Sequence, residues 1–264
     1  MPRTDPSPPR WRLLRSPPLD GASNMALDLA LMRRAARTGE WVLRVYAWSP
    51  PTLSLGRNQV ARDRYDLDAI ARHGLGVVRR PTGGRAILHD REVTYSVTGP
   101  AAAAGTLGDA YERINGLLLA GLRTLGVDCA PAGAAGRASP PTVAPCFEHP
   151  APGELVHGGR KLVGSAQWRD EGAVLQHGSI LLDGDQSLVA ALLSDPVPAP
   201  PPPATLAAAL GRLPSFDEVA EALEGAVRDR ADPAASVLAP DSELEAEWDV
   251  RRGEFEDDAW TWRR

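Results

Sequence analysis

Gly158-Gly159-Arg160-Lys161-Leu162-Val163-Gly164-Ser165-Ala166-Gln167 reads as a glycine turn leading into a strand, with a further glycine and small residues behind it. Small residues on a strand leave room for a ligand beside it. The pattern divides this stretch into strands 161–163 and 165–169, between strands 154–157 and 173–182. Upstream, alternation predicts strands at 11–15 and 41–48, the second broken by Pro50 and Pro51 and resumed over 52–55. A strand at 76–80 runs into a Pro-Thr-Gly-Gly turn, and 85–88 and 92–98 read as a strand pair. Apolar residues at helical spacing predict a helix over 24–37, capped by Ser23 or Asn24 and stopped at Gly39. Further helices are expected at 63–73 and 107–125. The Ala/Gly/Pro-rich segment 130–145 reads as an irregular loop, and a loop of that length in a compact domain often carries function. Downstream, Pro-rich 196–203 reads as a semi-rigid spacer, followed by helices 216–230 and 242–253 and by Trp260 and Trp262, expected to dock on the body. Strands interleaved with few helices predict an α+β fold, a mixed β-sheet flanked by helices, and not a doubly wound one. The expected division is a disordered N-terminus over 1–10, a main domain over 11–200 and a helical C-terminal extension over 204–264 packed on it.

The 264 residues are 43% hydrophobic and 24% charged with a net charge of -5, as in a soluble globular protein. That balance speaks against nucleic acid or an anionic membrane as partner. No apolar run is long enough to span a membrane, and residues 1–10 have no apolar signal core, so a cytoplasmic location is expected. Two cysteines do not make a disulfide framework. Of 29 lysines and arginines only Lys161 is a lysine. A GC-rich genome would produce that bias, but lysine, unlike arginine, also exchanges protons.

Four segments carry candidate chemistry. Arg79-Arg80-Pro81-Thr82-Gly83-Gly84-Arg85-Ala86-Ile87-Leu88-His89-Asp90 sets adjacent glycines behind an arginine pair. Glycines admit close backbone approach, and arginines offer forked donors to a carbonyl, carboxylate or phosphate; a tight hairpin with solvated arginines has the same pattern. Cys146-Phe147-Glu148-His149 places a thiol in the long loop. At a pKa of ~8.5 only about 3% of a thiol is thiolate at pH 7, and an ammonium beside it would raise that share. A lone cysteine is also commonly inert, which is the reading for Cys129. Cys146, His149 and His157 fit no usual zinc spacing, so no metal is expected. The third segment is the one around Lys161, and the fourth is Gln176-His177-Gly178-Ser179-Ile180, where His177 is either a site residue or a backbone-bonded core histidine.

Together these segments resemble the lipoate–protein ligase and octanoyltransferase family, whose catalytic fold is shared with biotin protein ligases and class II aminoacyl-tRNA synthetases. The resemblance includes Asn24-Met25-Ala26-Leu27-Asp28, Leu43-Arg44-Val45-Tyr46-Ala47-Trp48 and Thr52-Leu53-Ser54-Leu55-Gly56, and runs from about Trp11 to Trp262. It implies a catalytic domain over 11–200 and covers three chemistries. Lipoate ligases use ATP and typically carry three successive glycines where this chain has Gly83-Gly84-Arg85. LipM-type octanoyltransferases use a cysteine in a Cys-Phe motif, and LipL-type amidotransferases a similar one between two carrier proteins; an idle carrier-binding homologue would keep the fold alone. The wording is nearest the LipM type. That implies protein lipoylation in lipoate biosynthesis, without cofactor. Octanoyl-acyl carrier protein would be the donor, and an apo lipoyl domain or glycine-cleavage H protein the acceptor. Carried over, Cys146 forms the acyl thioester and Lys161 lowers its pKa. Lys161 or the departing thiolate then takes the acceptor's proton. Arg79, Thr82, Gly83, Gly84, His89, Gly164, Ser165 and His177 are the implied substrate-binding residues. Leu29 stands where many relatives carry an acid.

Overall fold

The structure, a computed structural model, describes residues 9–133, 153–170 and 172–264. Its elements in chain order are β1 (Trp11–Arg15), α1 (Gly21–Thr38), β2 (Trp41–Tyr46), β3 (Thr52–Leu55), α2 (Leu67–Arg72), β4 (Gly76–Arg79), β5 (Ile87–His89) and β6 (Glu92–Pro100). There follow α3 (Ala101–Ala104), α4 (Leu107–Thr124), β7 (Ala130–Pro131), β8 (Leu155–His157), β9 (Arg160–Asp170) and β10 (Ala173–Leu181). The chain closes with α5 (Ser187–Ala191), α6 (Leu206–Leu210), α7 (Phe216–Arg230), β11 (Ser236–Val237), α8 (Ser242–Glu256) and α9 (Asp258–Thr261).

Eight strands form a mixed sheet in the order β11-β1-β2-β6-β10-β9-β8-β7, and β4-β3-β5 form a smaller sheet. The central strands β2, β6, β10 and β9 are antiparallel neighbours, while β1 runs parallel to β2 and to β11. One face of the large sheet presents Leu43, Val45, Val93 and Val97 to Ile114 and Leu118 of α4 and Leu223 and Val227 of α7. Fully burying such side chains is worth about 1.5–3 kcal/mol each, and this layer is the main core. The other face turns to α1 and the small sheet.

Helix α1 begins earlier than its periodicity suggests. Asp20, not Ser23 or Asn24, is its cap, accepting from the Ser23 amide, and Gly39 closes it with φ +71°. Asn24 is buried inside the first turns instead, and its amide donates to the carbonyls of Leu19 and Ala47. The strand pair expected over 85–98 is not a pair. β5 joins β3, with His89 opposite Thr52, whereas β6 joins β2 and β10 in the large sheet. Asp90 and Arg91 carry the chain between the sheets, Arg91 at φ +52°. Strands 161–163 and 165–169 are one strand, β9, because Gly164 pairs with Ser179 without a break.

Residues beyond 204 are woven into the body. α7 shares the main core with α4, β11 pairs with β1, and Trp248 of α8 packs with Leu27 and Leu31 of α1. The Trp260 indole donates to the Arg79 carbonyl at 2.8 Å. Among the described residues no helix is long and apolar enough to cross a membrane.

Candidate active site

The register of the large sheet assembles the site. Arg44, Ser96, His177 and Ala166 lie in one row across β2, β6, β10 and β9, and Tyr46, Thr94, Ser179 and Gly164 in a second row, two residues along. Side chains alternate along strands, so both rows face α1. Polar residues on an interior face require partners, and α1 supplies one. Asp28, fully buried, accepts from Arg44 Nη1 at 2.8 Å, Ser96 Oγ at 2.7 Å and the Tyr46 hydroxyl at 3.0 Å. Its Oδ2 lies 3.1 Å from His177 Nδ1. Burial by itself would raise the Asp28 carboxyl, but the Arg44 charge and the bonds from His177 and Ser96 hold it below the ordinary carboxylate range. Arg44 also reaches Ser16 and both the backbone and side-chain oxygens of Asn24, so α1 is pinned to the sheet.

The other His177 nitrogen, Nε2, lies 2.7 Å from Thr82 Oγ1. That bond ties the glycine turn after β4 to the large sheet. Arg80 braces the same turn, donating to the carbonyls of Ser54, Gly83 and Arg85. Gly84 has φ +99°, and a Cβ there would lie 2.7 Å from the Arg80 guanidinium, so the turn needs glycine at this position. Burial pushes the His177 pKa down, against the opposing pull of Asp28. An unfolded histidine takes a proton near pH 6.5, where folded His177 resists it. The stability tied to His177 is therefore complete above that pH and lost as pH falls below it. Thermal unfolding is expected to show the native protein losing more stability between pH 7.5 and 5.5 than His177→Gln; equal losses would contradict this.

Between the turn and the two rows lies a cleft lined by Met25, Trp48, Arg80, Gly84, His89 and Gly164 among others. Ser165, His177 and Gly178 also border it. A Cβ on Gly178 would come 2.3 Å from the Gly164 carbonyl, so only glycine keeps β9 and β10 in register here. Lys161 lies on β9 three residues before Gly164, so about 10 Å along the strand. It is 3% exposed, and its Nζ is 2.8 Å from Glu154 Oε1. A buried chain of polar groups leads the same way. Ser165 Oγ meets the Tyr95 hydroxyl at 2.6 Å, and Gln176 bridges Tyr95 to Asn115. Asn115 donates to the Gly153 carbonyl at 2.8 Å, next to Glu154.

A family model described as the lipoyl protein ligase A/B catalytic domain matches residues 20–228. The chain belongs to this family. It is 48% identical to the octanoyltransferase LipM of Kyrpidia tusciae over 195 residues, covering 70% of this chain and 71% of the relative. It is 43% identical to the octanoyltransferase LipM of Symbiobacterium thermophilum, covering 80% and 83%. A structure of a T. acidophilum protein with bound lipoic acid superposes with a TM-score of 0.76 over 97% of this chain and 99% of that one, at 23% identity. That likeness is one of fold.

On this lipoyl protein ligase A/B scaffold, Gly84, His89, Gly164, Ser165 and His177 converge on the cleft, and Thr82 is tied to it through His177. Arg79 does not reach it. Its guanidinium is buried among the carbonyls of Gly56, Gln59 and Thr261, where it joins the small sheet to α9; burial and then Arg263 lower its pKa to about 10. Its neighbour Arg80 borders the cleft instead. Cys146 lies outside the described residues, as does His149. His157 bonds to the Asp128 carbonyl, and Cys129 is buried with its thiol pKa raised by burial. Sequence reasoning gave no site role to Asp28, Arg44, Glu92 or Glu154, although Asp28 and Arg44 stand inside the quoted motifs. For Glu92 the signal was a charged residue at the start of an otherwise uncharged strand, and for Glu154 there was none.

Proposed function

We propose that this protein is an octanoyltransferase. It takes an octanoyl group from the thioester of acyl carrier protein and delivers it to a lysine of a lipoyl domain or a glycine-cleavage H protein. The observation that carries this reading is the 48% identity, over 70% of the chain, with an octanoyltransferase LipM. The cleft suits the substrate: it lies between two sheets, the surface it exposes is mostly apolar with polar side chains such as Arg80 and His177 among its lining, and the buried Lys161 stands about 10 Å along β9 from Gly164 at its border.

In this reading the octanoyl chain lies along the cleft with its carbonyl toward Lys161. The thiolate of Cys146 attacks the donor thioester. Exchange of one thioester for another is near thermoneutral and needs no ATP. The Lys161 ammonium, oriented by Glu154, favours the thiolate over the thiol, and backbone amides at Gly164 and Ser165 are candidates for holding the oxyanion. The acceptor amine then attacks the acyl-enzyme.

Donor choice tests this. Apo acceptor protein is offered with octanoyl-acyl carrier protein, with lipoate plus ATP, or with octanoylated H protein, and modification is followed by intact mass. Only the first donor is expected to support rapid transfer. Modification that required ATP would make the protein a ligase and reject the proposal.

A further inference from the structure

The cleft holds two histidines, and their surroundings differ. His177 has both ring nitrogens engaged, by Asp28 and by Thr82, as a structural histidine does. His89 has one. Its Nδ1 lies 2.7 Å from Glu92 Oε1, and no described residue pairs with its Nε2. Glu92 is held firmly in turn, since its carboxylate accepts from the hydroxyls of Thr94 and Ser179. The Trp48 indole stacks on the His89 ring with centroids 4.0 Å apart and planes 10° apart, and its Nε1 donates to Thr94 Oγ1 at 2.7 Å. A carboxylate has no proton to give, so Nδ1 carries a ring hydrogen, and in the neutral ring the lone pair is on Nε2. Trp48 and Glu92 therefore fix both the ring plane and the tautomer.

His89 also stands at a boundary. It lines the cleft on one side, and on the other it lines an open pocket bordered by Ser16, Pro18, Asp90 and Phe216. The open pocket gives an approach from solvent; Asp90 and Arg91 both border it, and the Arg91 guanidinium is paired with Asp183. A basic nitrogen held by a buried carboxylate, between an acyl cleft and a solvent pocket, is a general-base arrangement.

We propose that His89, oriented by Glu92, is the base that deprotonates the acceptor lysine, which enters through the open pocket. This rests on the acyl-transfer reading above and adds a catalytic residue to it. The lysine ammonium gives a proton to Nε2, which passes it to solvent. The neutral amine adds to the thioester carbonyl. As the C–N bond forms and the C–S bond breaks, sulfur leaves as thiolate, and the remaining surplus proton on nitrogen goes to Nε2 and on to solvent.

The test compares two nucleophiles on protein first acylated with octanoyl-acyl carrier protein. Hydroxylamine is already neutral at pH 7 and needs no base to become a nucleophile, and being small and solvated it can lose its remaining proton to water, whereas a protein lysine must first be deprotonated. On protein whose acylation is first confirmed by intact mass, His89→Gln is expected to lower the ratio of transfer to saturating acceptor protein over octanoyl hydroxamate release by about 10²-fold, through the maximal transfer rate and not through KM. Glu92→Gln, checked for a native melting profile, is expected to move the same ratio in the same direction. Equal losses with both nucleophiles, or a change confined to KM, would make His89 a structural or docking residue and overturn the proposal, as would native transfer by His89→Gln. Failure of the native protein to acylate would instead remove the underlying reading, and the proposal with it.

Discussion

Asp28→Leu is expected to destabilise the protein by about 3–5 kcal/mol, measured by urea unfolding. The carboxylate is fully buried and serves four donors: Arg44, Tyr46, Ser96 and His177. Its removal leaves the Arg44 guanidinium charged and buried, with Ser16 and Asn24 to accept its hydrogen bonds and the Tyr46 ring against its face, but no counter-charge from Asp28. An uncompensated buried charge costs far more than the net worth of the pair it came from. The double variant Asp28→Leu/Arg44→Met is therefore expected to recover a substantial part of the loss. Its non-additivity is the sharper measurement, because additive effects would show that the two residues act independently. Activity should fall in both variants, since the His177 that ties down the glycine turn loses its anchor. A single-variant cost below about 1 kcal/mol would refute the account of α1 as pinned to the sheet by this ion pair.

Cys146→Ala is expected to reduce octanoyl transfer by about three orders of magnitude or more, because a nucleophile that forms the covalent intermediate has no substitute. The adduct mass on the enzyme should vanish with it, while thermal stability changes little. Full transfer by the variant would sink the thioester mechanism. Lys161→Arg separates the roles of the partner residue. A guanidinium keeps the charge but not the compact ammonium that meets Glu154 at 2.8 Å inside the fold. Acylation is expected to slow. Near-native acylation would mean that charge alone suffices at this position to favour the thiolate.

Much of the architecture is legible along the chain. The helices α1, α4, α7 and α8 follow from apolar spacing, and the stop of α1 follows from Gly39, because each depends on contacts within one or two turns. The α+β class and the matching family motifs are legible in the same way. So is the singular status of Lys161, which needs only a count. Its meaning was not. Glu154, Lys161's ion-pair partner, comes from the segment before β8, and nothing in the local pattern marks it.

What the tertiary structure decided lies between residues far apart in sequence. Whether 85–98 forms one hairpin or bridges two sheets depends on β3, β2 and β10, not on the segment itself. The sequence offers both arginines of the pair before the glycine turn as ligands, yet Arg79, the last residue of β4, is turned to backbone carbonyls away from the cleft, and Arg80, just past the strand, borders it. Asp28 meets His177 across 149 positions, and only the register of β10 against β6 brings His177 to face α1. Local propensity acts through the chain's own turns; partners for buried charge are found through sheet register, which the whole fold sets.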